Sequence, residues 1–296
     1  MVKDKLKVIY SALVTPFNED ESLNEEAIRK LVEFELDNGV EGFYCCGSSG
    51  EGLLLSLEER KRVLEVVLDE VRGRVPVISH IGTVATKDVV ELAKHALNAG
   101  ADAVSMIPPY YYNFSMDEIV DYYLDVVNEV PDIPVIVYNI PQFTGVSFNR
   151  DNAGRLLEND HVIGIKHTST DLFGLERMKN DFPDKVYLNG FDEIFLSGLV
   201  AGANAAIGTT VNLYPKTFRR LMDLYEENRI EEAQKVQSLI NHRVKEMVSV
   251  GIFSAVRYMF MKQGIDCGTC RRPFAKLNDQ QKARLDRLIA EGFEIE

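Results

Sequence analysis

Over residues 1–225, short apolar and β-branched runs alternate with longer stretches of helical periodicity. The runs are Val8–Leu13, Gly42–Cys45, Val77–Ile81, Ala103–Ile107, Val135–Tyr138, Val162–Lys166, Val186–Asn189 and Ala205–Gly208. Several are apolar at nearly every position, the pattern of parallel strands covered on both faces. Helix starts are marked between them. Ser56-Leu57-Glu58-Glu59 and Ser115-Met116-Asp117-Glu118 are capping boxes, in which hydroxyl and carboxylate each satisfy an orphan backbone N–H. Gly73 is placed to close the first of these helices, and Pro131 to halt the second. After Thr86 the residues Val89, Val90, Ala93, Ala96 and Leu97 form one apolar stripe that ends at Gly100, and Asp192–Ala201 ends in the same way at Gly202. Eight strands alternating with helices predict a (β/α)8 TIM barrel. Beyond Tyr225 the strands stop. Residues 226–262 and 278–291 show helical periodicity alone, with no low-complexity linker before them. The expected organisation is a barrel over residues 1–225 with a helical C-terminal extension over 226–296. An open doubly wound sheet is disfavoured, because its first strand would lead into G-x-G-x-x-G, whereas this one leads into Thr15-Pro16-Phe17.

Composition narrows the partners. A net charge of −13 over 296 residues argues against nucleic acid and anionic membrane surfaces, and leaves a small-molecule substrate. The apolar stretch Val8–Val14 is cut by Thr15-Pro16 before any small-residue cleavage site, and no run reaches the ~20 residues that span a bilayer. A soluble, cytoplasmic protein is expected. His80, His95, His161, His167 and His242 lack ligand spacing, so no metal site is expected. Cys267-Gly268-Thr269-Cys270 has a spacing used by zinc and redox sites, but Cys45 and Cys46 are neighbours and make a poor second ligand pair. All four cysteines read as free thiols.

Lys166 is the residue that composition and periodicity do not explain. It ends the apolar run Val162–Ile165, where an ammonium loses hydration and its pKa falls toward that of a neutral, nucleophilic amine. A barrel gathers its chemistry at the C-terminal ends of its strands. Six candidate groups fall at such ends: Gly47–Gly52, Tyr110–Tyr112, Tyr138, Lys166, Gly190–Glu193 and Thr209-Thr210. Gly47-Ser48-Ser49-Gly50-Glu51-Gly52 offers backbone N–H groups and the Ser48 and Ser49 hydroxyls to a carboxylate-sized anion, and matches no nucleotide motif. Tyr138 supplies a phenol that can relay a proton to and from an amine. Asp192 and Glu193 read either as acceptors for sugar hydroxyls or as acidic residues at a helix start.

These segments resemble the N-acetylneuraminate lyase and dihydrodipicolinate synthase family of pyruvate-dependent lysine aldolases. The resemblance covers the whole chain. It rests on Ala12-Leu13-Val14-Thr15-Pro16-Phe17, Gly47–Glu51, Tyr138-Asn139-Ile140-Pro141, Gly164-Ile165-Lys166, Asn189-Gly190-Phe191-Asp192-Glu193-Ile194-Phe195 and Arg271-Arg272-Pro273-Phe274. It implies a (β/α)8 barrel with added helices, usually a homotetramer. Lys166 matches the Schiff-base lysine, Tyr138 the proton-relay tyrosine, and Ser48 and Ser49 the pair that holds the pyruvate carboxylate. Gly190, Asp192 and Glu193 match positions that bind the sialic acid tail. Thr168 matches a threonine near the bond being broken, and Tyr111 a tyrosine that approaches a neighbouring subunit's site. The synthases tend to carry an arginine where this chain has Phe143, and Phe143 cannot neutralise a second carboxylate. The lyase branch is therefore expected, cleaving sialic acid to pyruvate and N-acetylmannosamine through a covalent Schiff base on Lys166, with no other cofactor. Thr209 and Val211 depart from the serine and tyrosine often found in the lyases, which bears on sugar preference. The alternatives are another aldolase of the family, a synthase or a 2-keto-3-deoxy sugar acid aldolase, and a non-catalytic pyruvate-binding protein.

Overall fold

The computed structural model describes residues 2–292. Eight strands follow one another in sequence order around a closed barrel. They are β1 (Tyr10–Ala12), β2 (Gly42–Cys45), β3 (Val77–His80), β4 (Ala103–Met106), β5 (Val135–Asn139), β6 (Val162–His167), β7 (Val186–Asn189) and β8 (Ala205–Gly208). The helices are α1 (Val2–Lys5), α2 (Glu25–Asp37), α3 (Leu57–Val71), α4 (Thr86–Ala99), α5 (Met116–Glu129), α6 (Pro141–Thr144), α7 (Arg150–Leu157), α8 (Leu172–Asp181), α9 (Phe195–Val200), α10 (Pro215–Glu226), α11 (Ile230–Val248), α12 (Ile252–Lys262) and α13 (Asp279–Ala290). Every strand position is buried, in agreement with the two-sided apolar pattern read from the sequence. No helix among the described residues is long and apolar enough to cross a membrane.

Both capping boxes form as the sequence predicts, at Ser56 and Ser115. The end of α3 differs. Its left-handed cap is Arg72, at φ 51°, and Gly73 only continues the turn. The helix expected over Asp192–Ala201 begins as a 3-10 turn over Asp192–Ile194 before α9. The periodic stretch 226–262 is two helices, broken where Gly251 takes φ +99°. The last four residues of the expected extension lie outside the described residues.

The chain forms two compact units, one holding residues up to Val8 with Pro76–Ile207, the other holding Ile9–Val75 with the chain from Gly208 onward. In the first unit β3 to β7 pair in parallel, and the β5–β6 register shifts by one residue after Val135. Gly164 has a packing reason. A Cβ there would lie 2.0 Å from the Val186 carbonyl oxygen on β7. The second unit packs α2 against α3 and carries α10 to α13, with Phe34 of α2 edge-on to Phe260 of α12 at 6.0 Å.

Glu35 lies on the buried face of α2 with Ala27, Ile28, Leu31 and Val32. Neither carboxyl oxygen has a partner at hydrogen-bonding distance. Burial raises its pKa well above the usual carboxylate range, and the nearby Ser11 hydroxyl only partly opposes this. The folded protein therefore keeps a proton that the unfolded chain releases. Glu35 contributes stability below the ordinary carboxylate pKa, and that contribution is lost as pH rises through its folded value. Glu35→Gln is expected to stabilise the protein by about 1–3 kcal/mol near pH 8 and to change nothing near pH 4. Thermal melts at the two pH values check this, and an equal effect at both would contradict it.

Candidate active site

The one-residue shift between β5 and β6 decides which side chains share a face. Before it, Val135 is opposite Val162, and that register would set Tyr138 against Ile165. After it, Ile136 pairs with Gly164 and Tyr138 with Lys166. Register partners in parallel strands point to the same side, and a single-residue slip reverses faces. The shift therefore brings the amine and the phenol ring together. Lys166 Nζ stands 4.0 Å from the centroid of the Tyr138 ring.

Both side chains are buried, Lys166 at 3% exposure. Burial pushes the Lys166 amine below the usual lysine range, while Tyr138 and the charge of Asp192 pull the other way. The loss of hydration is the larger effect, so the neutral nucleophile is favoured at lower pH than for a solvated lysine. Asp192 is itself buried at the start of the 3-10 turn, and Glu193 beside it is exposed.

Thr168 follows two residues after Lys166, buried, its Oγ1 without a hydrogen-bond partner. Its backbone N–H donates to Asn139 O at 2.8 Å, and Gly190 N–H donates to His167 O at 2.9 Å. A Cβ at Gly190 would lie 1.8 Å from Thr168 Oγ1, so any other residue here would displace the Thr168 side chain. The sequence-predicted Lys166, Tyr138, Thr168, Gly190 and Asp192 thus meet around the ends of β5, β6 and β7. Tyr111 stands out in solvent at 87% exposure with φ +77°, edge-on to Tyr112 at 5.1 Å. Phe143 is exposed on α6.

Two features of this cluster escaped the sequence reading. His80, at the end of β3, packs edge-to-face with Tyr138 at 5.8 Å. Its signal was the one that singled out Lys166, a polar residue ending a buried run. His167 is held by Asn139 Nδ2, which donates to its Nδ1 at 3.1 Å, leaving Nε2–H to donate to Asp171 O at 3.0 Å. Burial lowers the His167 pKa, in keeping with this neutral tautomer. The pair tethers β6 to the connection that carries Thr168.

The second unit holds the other predicted group. Ser49 is buried, Ser48 half-buried, and Ser49 Oγ lies 2.8 Å from Thr209 Oγ1. Thr209, expected from the sequence at the sugar tail, bonds through its hydroxyl to Ser49. Asn212 fixes the Thr209 turn, donating to Ala12 O and Thr209 O while accepting from Val14 N–H. The Gly47–Gly52 loop closes on itself through Gly52 N–H to Gly47 O and Glu51 N–H to Ser48 O. Thr15 Oγ1 donates to Gly50 O at 2.8 Å. A Cβ on Gly52 would strike the Cys46 carbonyl oxygen at 1.8 Å, so close backbone approach shapes the loop.

The four cysteines are buried outside any disulfide, and burial raises the Cys267 thiol to about 12 and the Cys46 thiol to about 11. Such thiols are inert. Among the described residues no cluster of three or more His, Cys, Asp or Glu could hold a metal ion.

A closed parallel (β/α)8 barrel with a desolvated lysine amine over a tyrosine ring at its strand ends belongs to the class of barrels equipped for amine nucleophiles. Residues 5–291 match the dihydrodipicolinate synthetase family, and the chain belongs to that family. It is 42% identical over 286 residues to an N-acetylneuraminate lyase of Rhizobium meliloti, covering 97% of this chain and 95% of that one. An N-acetylneuraminate lyase of Clostridium perfringens is 37% identical over 289 residues, covering 97% of this chain and all of the relative. Among solved structures, the N-acetylneuraminate lyase of Fusobacterium nucleatum complexed with pyruvate superposes with a TM-score of 0.93 at 35% identity, covering 98% of both chains.

Proposed function

We propose that this chain is an N-acetylneuraminate lyase that cleaves sialic acid reversibly to pyruvate and N-acetyl-D-mannosamine through a Schiff base on Lys166. The observation that carries this is the buried Lys166 amine 4.0 Å above the Tyr138 ring, in a chain akin to curated lyases over nearly its full length. Lys166 attacks the C2 ketone of the open-chain sugar, and loss of water leaves an iminium. Tyr138 relays the proton of the C4 hydroxyl, passing its own phenolic proton to the substrate carboxylate, as the C3–C4 bond breaks. The bond's electron pair flows into the iminium and leaves an enamine, with N-acetylmannosamine departing as the aldehyde. Protonation at C3 and hydrolysis return pyruvate and the free amine. The iminium is itself the electron sink, so the reading requires no metal or organic cofactor.

In this account Ser48 and Ser49 hold the substrate carboxylate, and Thr209 orients Ser49. Thr168 presents its unpartnered hydroxyl near the bond that breaks, kept clear by Gly190. Asp192 and Glu193 accept hydrogen bonds from the sugar tail. Tyr111 reaches the site of a neighbouring subunit in a homotetramer, which accounts for so large an aromatic standing in solvent. The protein acts in the cytoplasm on small molecules, with residues 1–225 as the catalytic barrel and 226–296 as its extension.

The rival is a pyruvate condensation with a charged aldehyde. Phe143, exposed and apolar, stands against it, since it offers nothing to a second carboxylate. Pyruvate supplied with N-acetylmannosamine or with aspartate semialdehyde separates the two. Preference for N-acetylmannosamine by at least about 100-fold in kcat/KM is expected, and preference for the semialdehyde would sink the assignment.

A further inference from the structure

Within the Gly47–Gly52 loop, Glu51 is a non-glycine residue held at φ +56° with its side chain wholly buried. One carboxylate oxygen accepts from Arg257 Nη2 of α12 at 2.5 Å, and the other from the Arg271 backbone N–H at 2.8 Å. Arg257 Nη1 donates to Cys267 O at 2.8 Å, and the same carbonyl accepts from Phe17 N–H at 3.2 Å. The Phe17 ring lies beneath both guanidinium groups, 5.0 Å from Arg257 Cζ and 4.4 Å from Arg271 Cζ. Gly268 permits this approach, since a Cβ there would lie 2.1 Å from Phe17 O. Arg271 continues outward to Leu54 O, Glu21 O and the Glu59 carboxylate of the α3 capping box.

Cys267–Arg271, which contains the two cysteines with metal-like spacing, thus grips three parts of the second unit. They are the turn after β1 at Phe17, the loop after β2 at Glu51, and the start of α3 at Glu59. A buried ion pair is a poor source of stability, because desolvation offsets most of the attraction. Its attested use is to fix one arrangement among several, and a left-handed non-glycine residue persists only where its surroundings over-determine it. What is fixed here is the loop bearing Ser48 and Ser49. Glu51 N–H closes the turn onto Ser48 O, so displacing Glu51 displaces both hydroxyls.

We propose that Glu51 and Arg257 are positioning residues for substrate-carboxylate binding, through which the C-terminal extension sets the Ser48–Ser49 loop. The proposal rests on the reading that this loop holds the carboxylate. It assigns the extension a part in the reaction without contact to substrate, and it gives Cys267–Arg271 a purpose other than metal or redox chemistry.

The test is the double substitution Glu51→Gln with Arg257→Met, which removes both charges and strands neither. Borohydride trapping of pyruvate on Lys166, followed against pyruvate concentration, reads carboxylate binding separately from amine chemistry. The double variant should need roughly tenfold or more pyruvate for half-maximal trapping and show a similar rise in KM. Its trapping rate at saturation and its kcat should stay within about threefold of the parent, with an unchanged circular dichroism spectrum. Unchanged half-saturation in the folded double variant, or an equal loss in kcat and kcat/KM, would overturn the proposal. Should the double variant not fold, Arg257→Lys carries the test. It keeps the charge but cannot reach Glu51 and Cys267 O together, so KM should rise while kcat holds, and parental KM would refute the idea. Absence of trapping in the parent protein would instead overturn the Schiff-base reading beneath it.

Discussion

Lys166→Met is expected to lower lyase kcat by at least about 10⁴-fold while the protein stays folded, because the proposed nucleophile is lost and the stem that packs the site is kept. No other described amine is placed to replace it. Lys185, also buried, is spent donating to Asn159 O and Val162 O. The Lys166 pKa is lowered in the folded protein, so the unfolded chain binds more protons below the ordinary lysine range. Burying this amine therefore costs stability at neutral pH, and the cost shrinks as pH rises toward that range. Lys166→Met should melt higher than the parent at pH 7 and approach it near pH 10. In the parent, the acid limb of kcat/KM should lie below the range of a solvated lysine. Steady-state rates and melts over pH check each point. A variant that retains more than a hundredth of parental kcat would contradict the role given to this residue.

Tyr138→Phe separates the ring from its hydroxyl. The ring lies beneath Lys166 Nζ and against His80, and phenylalanine keeps both contacts. The hydroxyl's hydrogen bond to Lys166 and the proposed proton relay disappear, so kcat for cleavage should fall by about 10²–10⁴-fold. Pyruvate should still be trapped on Lys166 by borohydride, because forming the iminium from a small keto acid leans less on that hydroxyl than breaking C3–C4 does. Cleavage at parental rate in the phenylalanine variant would remove Tyr138 from the mechanism.

The barrel could be read from sequence because its strands are short, apolar on both faces and separated by marked helix starts. Lys166 stood out because ammonium groups are rare in such runs. His80 likewise ends a buried run, on β3, but a histidine at a strand end points to no chemistry until its neighbour is known. Its partner Tyr138 comes from β5. The β5–β6 register shift left no mark beyond Gly164, whose need is set by a carbonyl on β7. Ser49 and Thr209 were both singled out, but their 2.8 Å contact joins residues 160 positions apart. The Glu51–Arg257 pair spans 206 positions and has no local pattern at all. Glu35 sits at a position where helical spacing after Leu31 and Val32 demands an apolar residue, an anomaly that periodicity alone could have flagged. Local rules thus name candidate residues, and pairings across the fold set which of them meet.

Covalent uptake of pyruvate by the Lys166 amine is read out by incubation with pyruvate and borohydride followed by peptide mass analysis. One reduced pyruvate unit per chain is expected, on the peptide containing Lys166, and none when pyruvate is omitted. An unmodified Lys166 at saturating pyruvate, or an adduct on another lysine, would contradict it.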